Sequence, residues 1–262
     1  MENIFFITDL DRTIIHSKHK GYKCVEKLGD REITYMTNYA YDKLQELLKN
    51  ELFIFIPCTM RSISQTLRVD FIRVYNPRII ICTNGAQIYI DGKLDNEWDK
   101  QMRNLCNYNE LIENINYLEE LKEIYKESIN IIDVRNIENF YITVKCKDSE
   151  EANKFYYIIK DKFSKNIDVL KIEAKIFIIH KKINKVYAVD YIVKKFNIKN
   201  LITSGDTEVD KEFTTRGIAI LPKHSSFKHD KAIITRKYKI NSTEEILDYI
   251  NDLLYKYENK FI

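Results

Sequence analysis

Five short apolar runs set the strongest limit on how this chain can fold. They span residues 5–8, 52–57, 78–82, 201–203 and 218–221. Each has the length of a strand, is apolar almost throughout and ends at a polar or turn-forming residue, which is typical of strands buried in a parallel sheet. Helical patterns lie between them, at 37–50 and 186–196, with apolar side chains recurring on one face. This alternation predicts an α/β fold whose core is a doubly wound, Rossmann-like parallel sheet.

The middle of the chain, from about residue 89 to residue 180, interrupts this alternation. It contains helical patterns at 111–125 and 150–163, strand-like runs at 129–134 and 140–146, and a longer extended run at 167–179. We place the connection between the first two of these strands at Arg135 and Asn136. Helices and strands in this order indicate a small α+β domain. The sequence therefore predicts a discontinuous core, formed by 1–88 and 181–262, with 89–180 as an inserted domain.

The charge balance argues against several classes of partner. The chain has 42 basic and 39 acidic residues and a net charge of +3, too little to favour nucleic acid or an anionic membrane as a partner. No apolar stretch reaches the length of a transmembrane helix. Its five cysteines are odd in number and widely spaced, as is typical of reduced thiols. We expect a cytoplasmic protein, and the sequence is compatible with a monomer or a dimer.

Two aspartates, Asp9 and Asp11, stand where the first apolar run ends. A carboxylate beside a buried strand is costly unless it takes part in chemistry or holds a metal ion. One aspartate of such a pair can attack phosphorus and form an aspartyl-phosphate, while the other exchanges a proton with the leaving group. Two solvated loop carboxylates are the alternative when the pair is considered alone.

Further polar residues follow the other strands of the predicted sheet. They are Thr59 and Arg61 after the second run, Asn84 after the third, Asp206 and Asp210 after the fourth, and Lys185 at the start of the preceding helical pattern. Because the carboxyl ends of parallel strands meet at one edge of the sheet, we expect these side chains to assemble with Asp9 and Asp11.

This set of side chains suits the transfer of a phosphoryl group. Mg²⁺ prefers oxygen ligands and is often held by one or two carboxylates, which Asp9 and Asp206 can supply. Thr59 can donate a hydroxyl hydrogen bond to a phosphate, and Lys185 can supply a positive charge. The sequence therefore predicts a magnesium-dependent site that handles phosphate.

In their order along the chain, these residues resemble the four motifs of the haloacid-dehalogenase-like superfamily of phosphatases. The motifs lie at 9–13 (Asp-Leu-Asp-Arg-Thr), at Thr59, at Lys185 and at 205–210 (Gly-Asp-Thr-Glu-Val-Asp). The insertion between the second and third motifs is similar to that of the Cof-type branch, which has a large α/β cap. The first motif, extended by two isoleucines, is similar to that of sucrose-phosphate-phosphatase-like enzymes.

The resemblance implies a role for each matching aspartate. Asp9 would be the nucleophile, and Asp11 would protonate the leaving alcohol and then activate water. Mg²⁺ would be held by the Asp9 carboxylate, the backbone carbonyl of Asp11 and Asp206, and Asp210 would orient this metal site.

The resemblance also bears on the substrate. Thr59 and Lys185 would bind the phosphoryl oxygens, and we expect Arg61 and Asn84 to contact the substrate. By family analogy the substrate is a small phosphorylated metabolite, such as a sugar phosphate. Arg12 departs from the family pattern, because many members carry Gly at this position, and Met60 stands where Gly or Ser is common.

Two other readings stay open. A phosphomutase with the same core would return the phosphoryl group to the substrate, and a non-catalytic protein of this fold would only bind a sugar phosphate. Nucleotide-binding Rossmann and P-loop proteins are disfavoured because neither G-x-G-x-x-G nor G-K-[ST] occurs in the sequence.

Overall fold

The computed structural model describes residues 3–17 and 19–258. The chain divides into two compact units, one formed by the residues up to Asp95 together with those from Lys185 onward, the other by Asn96–Asn184. The sequence places this division at 89 and 180, and the role of the second unit as a cap stays a prediction. None of the helices within the described ranges combines the length and the apolar character that crossing a bilayer requires.

Both units contain strands and helices. The strands are β1 (Ile4–Thr8), β2 (Lys23–Leu28), β3 (Arg31–Met36), β4 (Phe53–Pro57), β5 (Ile79–Cys82), β6 (Gln87–Ile90), β7 (Lys93–Leu94), β8 (Ile131–Ile137), β9 (Tyr141–Cys146), β10 (Ile167–Ile172), β11 (Lys175–His180), β12 (Asn200–Ser204), β13 (Ile218–Leu221) and β14 (Ile233–Ile234). The helices are α1 (Asn38–Leu48), α2 (Ile63–Thr66), α3 (Asp70–Tyr75), α4 (Asn96–Arg103), α5 (Tyr108–Ile124), α6 (Ser149–Ile159), α7 (Lys185–Lys195), α8 (Lys211–Thr214) and α9 (Ser242–Glu258).

The first unit is built on a five-stranded parallel sheet with the order β14-β13-β12-β1-β4. Strand β1 pairs with β4 on one side and β12 on the other, so that Ile7 lies between Ile56 and Thr203. The chain winds outward from β1 in both directions, and in such sheets the ligand binds at the carboxyl end of the strand where the order reverses. The predicted doubly wound α/β core is confirmed.

Buried aromatic and aliphatic side chains hold β1 at the centre of this sheet. The ring of Phe6 lies against those of Phe53 and Phe55 in β4, with centroids 6.2 and 6.1 Å apart. Leu44 of α1 and Ile250 of α9 belong to the same buried cluster. Burial stabilises the fold by about 2 kcal/mol for each such side chain. This packing fixes the position of the residue that follows β1.

The third apolar run forms β5 outside the five-stranded sheet, although the sequence predicts it as a strand of that sheet. Strand β5 pairs antiparallel with β6, in a small sheet that also contains β7. A single parallel bridge, between Cys58 and Ile81, links β5 to the residue after β4. The chain folds back directly after β5, where Thr83, Asn84 and Gly85 all have positive φ. The main ladder of β5 is therefore formed with the strand that follows it.

The hairpin of β2 and β3 was not recognised in the sequence. Its strands are antiparallel, and the register shifts on both sides of Glu26. As a result of this bulge, the adjacent residues Val25 and Glu26 are both buried. The bulge breaks the alternation of buried and exposed side chains by which such a strand is normally recognised.

The second unit is a four-stranded antiparallel sheet, in the order β10-β11-β9-β8, that packs against α5 and α6. Arg135 and Asn136 lie inside β8 and not in a connection, because the chain turns later, at Glu138 and Asn139. The run at 167–179 is a hairpin that turns at Glu173, which has a positive φ of 50°. Glutamate carries no turn signal, so the sequence did not reveal this hairpin.

Candidate active site

The site lies at the carboxyl ends of β1, β4 and β12. Asp9 follows β1 directly, and its backbone N–H donates a hydrogen bond of 2.9 Å to the carbonyl of Ser204, the last residue of β12. On the other side, the N–H of Cys58 donates to the carbonyl of Thr8 at 2.7 Å. The ladders of the sheet thus continue into the loops that carry Asp9, Thr59 and Asp206.

Lys185, the first residue of α7, joins two of the aspartates. Its Nζ donates to Asp9 Oδ1 at 2.6 Å and to Asp210 Oδ1 at 2.7 Å, and all three side chains are buried. Burial alone would lower the pKa of Lys185, but the charges of Asp210 and Asp9 outweigh it and raise this pKa above its ordinary value. The lysine is therefore held as a cation between two carboxylates.

The second oxygen of Asp210 fixes the backbone around Asp206. Asp210 Oδ2 accepts hydrogen bonds from the N–H groups of Asp206 and Thr207, at 3.1 and 3.0 Å, and from the Thr207 hydroxyl at 3.0 Å. Gly205 lies so close that an added Cβ would be 2.4 Å from the Cβ of Asp210. Glycine is therefore required here by this close approach.

Asp206 is almost fully buried, with 1% of its surface exposed. Neither of its carboxylate oxygens receives a hydrogen bond in the described part of the chain. Arg12 Nε lies 3.0 Å from Asp206 Oδ2, an ion pair without the alignment of a hydrogen bond. Ligand oxygens of Asp9, Asp206 and Asp210 lie within 4.8 Å of one another. Buried carboxylate oxygens without donors suit a hard cation such as Mg²⁺.

The electrostatics of this cluster also favour a cation. Burial raises the pKa of Asp9 to about 7, with Lys185 opposing and Asp210 and Asp11 reinforcing the shift. Burial, followed by the charges of Asp9 and Asp210, raises the pKa of Asp206 to about 8. Two carboxyls stay protonated up to near-neutral pH because the cations around them do not balance the negative charge of the cluster.

The side chain of Asp11 is paired with Arg61 outside this cluster. It is half exposed, and the guanidinium of Arg61 binds it through Nε and a terminal nitrogen, both at 2.7 Å. The other terminal nitrogen of Arg61 donates to Glu26 at 2.9 Å, and Glu26 also accepts from Arg68 at 3.1 Å and from Thr34 at 3.1 Å. Glu26 comes from the hairpin that the sequence did not reveal, so its part in the site was missed.

Thr59 and Asn84 are brought together after β4 and β5. Thr59 is buried, its hydroxyl accepts from the N–H of Arg61 at 3.2 Å, and its carbonyl accepts from the N–H of Asn84 at 3.0 Å. Asn84 is also buried and has a left-handed backbone, with φ of 55°. The structure thus gathers the backbones of Thr59, Arg61 and Asn84 into one group, while Asp9, Lys185, Asp206 and Asp210 form another.

One sequence family and several solved structures are similar to this chain. The sequence model of a family described as sucrose-6F-phosphate phosphohydrolase matches residues 2–226. A search of curated protein sequences finds no match. The structure is similar to the sucrose-phosphatase of Synechocystis sp. PCC6803 in complex with sucrose and phosphate, with a TM-score of 0.61 and 11% identity over 96% of this chain and 99% of that one.

Two further solved structures are similar over almost their whole length. The C-terminal domain of C. albicans trehalose-6-phosphate phosphatase gives a TM-score of 0.61 and 14% identity over 96% of this chain and 93% of that one. A haloacid dehalogenase-like hydrolase from Bacteroides thetaiotaomicron gives 0.60 and 10% over 95% of this chain and 100% of that one. At these identities the similarity shows a shared fold.

Proposed function

Because the chain belongs to the sucrose-6F-phosphate phosphohydrolase family of haloacid-dehalogenase-like enzymes, and is thus a phosphoric monoester hydrolase, we propose that it hydrolyses a phosphorylated sugar with Mg²⁺ as cofactor. The reaction would pass through an aspartyl-phosphate on Asp9. The observation that carries this proposal is the buried pair of Asp9 and Lys185 beside Asp206, whose oxygens lack donors. Side chains suited to act as nucleophile, phosphate-binding cation and metal ligand thus lie together beside the carboxyl ends of β1 and β12, which supports the proposal.

Asp9 attacks the phosphorus of the substrate through a carboxylate oxygen. A bond forms between this oxygen and phosphorus, and the bond from phosphorus to the sugar oxygen breaks. Lys185 supports this step, because its ammonium group contacts Oδ1 of Asp9 and stabilises the ionised nucleophile. With substrate bound, the same ammonium group would also contact a phosphoryl oxygen.

The metal would be held by the carboxylates of Asp9 and Asp206 and by the backbone carbonyl of Asp11. Asp210 is proposed to orient this set and not to bind the metal, because both of its oxygens already accept hydrogen bonds, one from Lys185 and the other from the Asp206 loop. When bound, Mg²⁺ would neutralise charge on the phosphoryl oxygens and hold the phosphate against Asp9.

Asp11 transfers the proton in both halves of the reaction. It gives a proton to the leaving sugar oxygen, and its carboxylate then takes a proton from the water that attacks the aspartyl-phosphate, so that inorganic phosphate leaves and Asp9 is restored. In the structure Arg61 donates a hydrogen bond to each carboxylate oxygen of Asp11. Asp11 can therefore donate its proton only after Arg61 has released at least one of them.

Thr59 is proposed to donate its hydroxyl to a phosphoryl oxygen, and Asn84 and Arg61 to contact the substrate. The sugar is supported by the family description and by the relatives named for sucrose and trehalose phosphates. We assign recognition of the sugar to the second unit, Asn96–Asn184. A cytoplasmic location is part of the proposal, supported by the five free cysteines.

A phosphate-release screen tests this function. The purified protein is incubated with sucrose 6F-phosphate, trehalose 6-phosphate, hexose phosphates, nucleoside monophosphates and phosphoglycerates, each with Mg²⁺ or with EDTA. We expect inorganic phosphate from at least one sugar phosphate, and none in EDTA. An isomeric sugar phosphate without free phosphate would indicate a phosphomutase, and binding without turnover would indicate a non-catalytic binding protein.

A further inference from the structure

Arg12 introduces a positive charge into the loop that carries Asp9 and Asp11. Its backbone is left-handed, with φ of 66°, a conformation in which glycine is the residue without strain. This backbone position is held by a hydrogen bond, which the N–H of Arg12 donates to the carbonyl of Ile15 at 2.7 Å. A left-handed backbone costs an arginine free energy. The hydrogen bond fixes the backbone position from which the side chain extends.

A second loop is hydrogen-bonded to the backbones of both Arg12 and Asp206. His224 Nδ1 accepts from the N–H of Lys239 at 3.2 Å, so its proton is on Nε2, which donates to the carbonyl of Arg12 at 2.8 Å. Two residues later, the N–H of Ser226 donates to the carbonyl of Asp206 at 2.8 Å. The same short segment therefore anchors both partners of the Arg12–Asp206 ion pair.

The positive charges of Lys185 and Arg12 are paired with different aspartates of the site. The ammonium group of Lys185 makes its hydrogen bonds to Asp9 and Asp210, which leaves Asp206 with the ion pair from Arg12. The Asp206 side chain is 1% exposed and that of Arg12 is 34% exposed. Arg12 is therefore a partly exposed cation paired with a buried carboxylate of the acidic cluster.

We propose that Arg12 competes with the metal ion for Asp206. The guanidinium of Arg12 pairs with Asp206 in the metal-free protein and is displaced when the divalent cation binds. This inference rests on the metal site of the proposed function. A cation that approaches Asp206 must break the ion pair or tolerate a positive charge beside it, and either effect weakens metal binding. Arg12 thus sets the concentration of Mg²⁺ at which the site fills.

Calorimetric titration of Mg²⁺ into the metal-stripped protein tests this inference directly, at about pH 8.5 so that carboxyls of raised pKa are ionised. The variants are Arg12→Gly, which removes the charge and suits the left-handed backbone, and Arg12→Lys, which keeps the charge. Arg216→Ala is the matched control, because it removes an arginine of equal charge that is paired with Asp190, away from the cluster. Circular dichroism in EDTA verifies that each variant is folded.

We expect the dissociation constant for Mg²⁺ to fall about tenfold in Arg12→Gly, and to stay near the wild-type value in Arg12→Lys and Arg216→Ala. The rise in melting temperature on adding Mg²⁺ should be larger in Arg12→Gly than in the wild type. Equal or weaker binding in Arg12→Gly, with normal binding by the wild type, overturns this inference alone. A wild type that binds no Mg²⁺ overturns the metal site as well, and with it this inference.

Discussion

The ammonium nitrogen of Lys185 lies 2.6 Å from Asp9 Oδ1, although 176 residues separate the two in the chain. The contact joins the start of α7 to the end of β1, and both side chains are buried. Asp210 completes it from a third segment, at 2.7 Å from the same nitrogen. The ammonium group of Lys185 thus connects the strand end, the helix and the loop that carry the residues of the proposed chemistry.

Replacing Lys185 by methionine should lower both stability and activity. The variant leaves Asp9 and Asp210 buried without their cation, and breaking a buried ion pair from one side costs about 3–5 kcal/mol in the free energy of unfolding. Urea unfolding measures this loss. The control is Lys211→Met, which removes an exposed lysine 3.7 Å from Glu208 and should change stability by less than about 0.5 kcal/mol. Similar losses in both variants would contradict the account.

Replacing Glu26 by alanine should destabilise the first unit by about 3 kcal/mol, because Arg61 and Arg68 would lose a fully buried carboxylate. Turnover should also fall, since Arg61, which is proposed to contact the substrate, would lose its anchor on Glu26. Urea unfolding and phosphate release are the measurements. Glu32→Ala, on the exposed part of the same hairpin, serves as the control. If the two variants were equally stable, Glu26 would have no role in anchoring Arg61.

The convergence of the proposed catalytic side chains could be predicted from the sequence, because strand ends in a parallel sheet meet at one edge. Asp9, Asp206 and Asp210 each follow an apolar run that was recognised as a strand, and Lys185 opens a clear helical pattern. Their convergence follows from the topology alone, so no knowledge of side-chain contacts was needed.

Other features could not be predicted, each for a physical reason. The partner of Asp11 depends on Glu26, which lies in a bulged hairpin without regular alternation. The turn between β10 and β11 uses Glu173 in a left-handed conformation, which its residue type does not signal. The side-chain contact of Arg12 with Asp206 depends on two loops that a third segment fixes, and contacts of this kind have no local sequence pattern.

The stability of the metal-free protein should fall as the pH rises through neutrality. Asp206 has a pKa raised from 3.8 to about 8, so over this range the folded protein keeps a proton that the unfolded chain has lost. The stability present at low pH is therefore lost at about 1.4 kcal/mol per pH unit for this group. Urea unfolding in EDTA between about pH 5 and 7 should show a shallower decline in Asp206→Asn.

Mg²⁺ should oppose this decline in the wild type, because it favours the ionised carboxylates. For the pH dependence in EDTA, the control is Asp190→Asn, which removes an exposed carboxylate paired with Arg216. This variant should keep the wild-type slope of the free energy of unfolding against pH. An identical slope in Asp206→Asn and the wild type would show that Asp206 does not titrate in this range.

Asp11→Asn should separate catalysis from metal binding. The side chain is assigned proton transfer, which typically contributes about 10²–10⁴-fold to the rate, so kcat should fall by that amount. Only its backbone carbonyl is assigned to the metal, so the dissociation constant for Mg²⁺ should change by less than about threefold. Steady-state phosphate release and calorimetric titration measure the two quantities. Loss of metal binding in parallel with kcat would contradict the assigned roles.

Asp9→Asn tests the central claim most directly. The amide has nearly the same shape as the carboxylate but cannot serve as the nucleophile that forms an aspartyl-phosphate. We expect the wild type to hydrolyse p-nitrophenyl phosphate with Mg²⁺, Asp190→Asn to match it, and Asp9→Asn to release no p-nitrophenol above background. Equal rates of p-nitrophenol release by Asp9→Asn and the wild type would contradict the account.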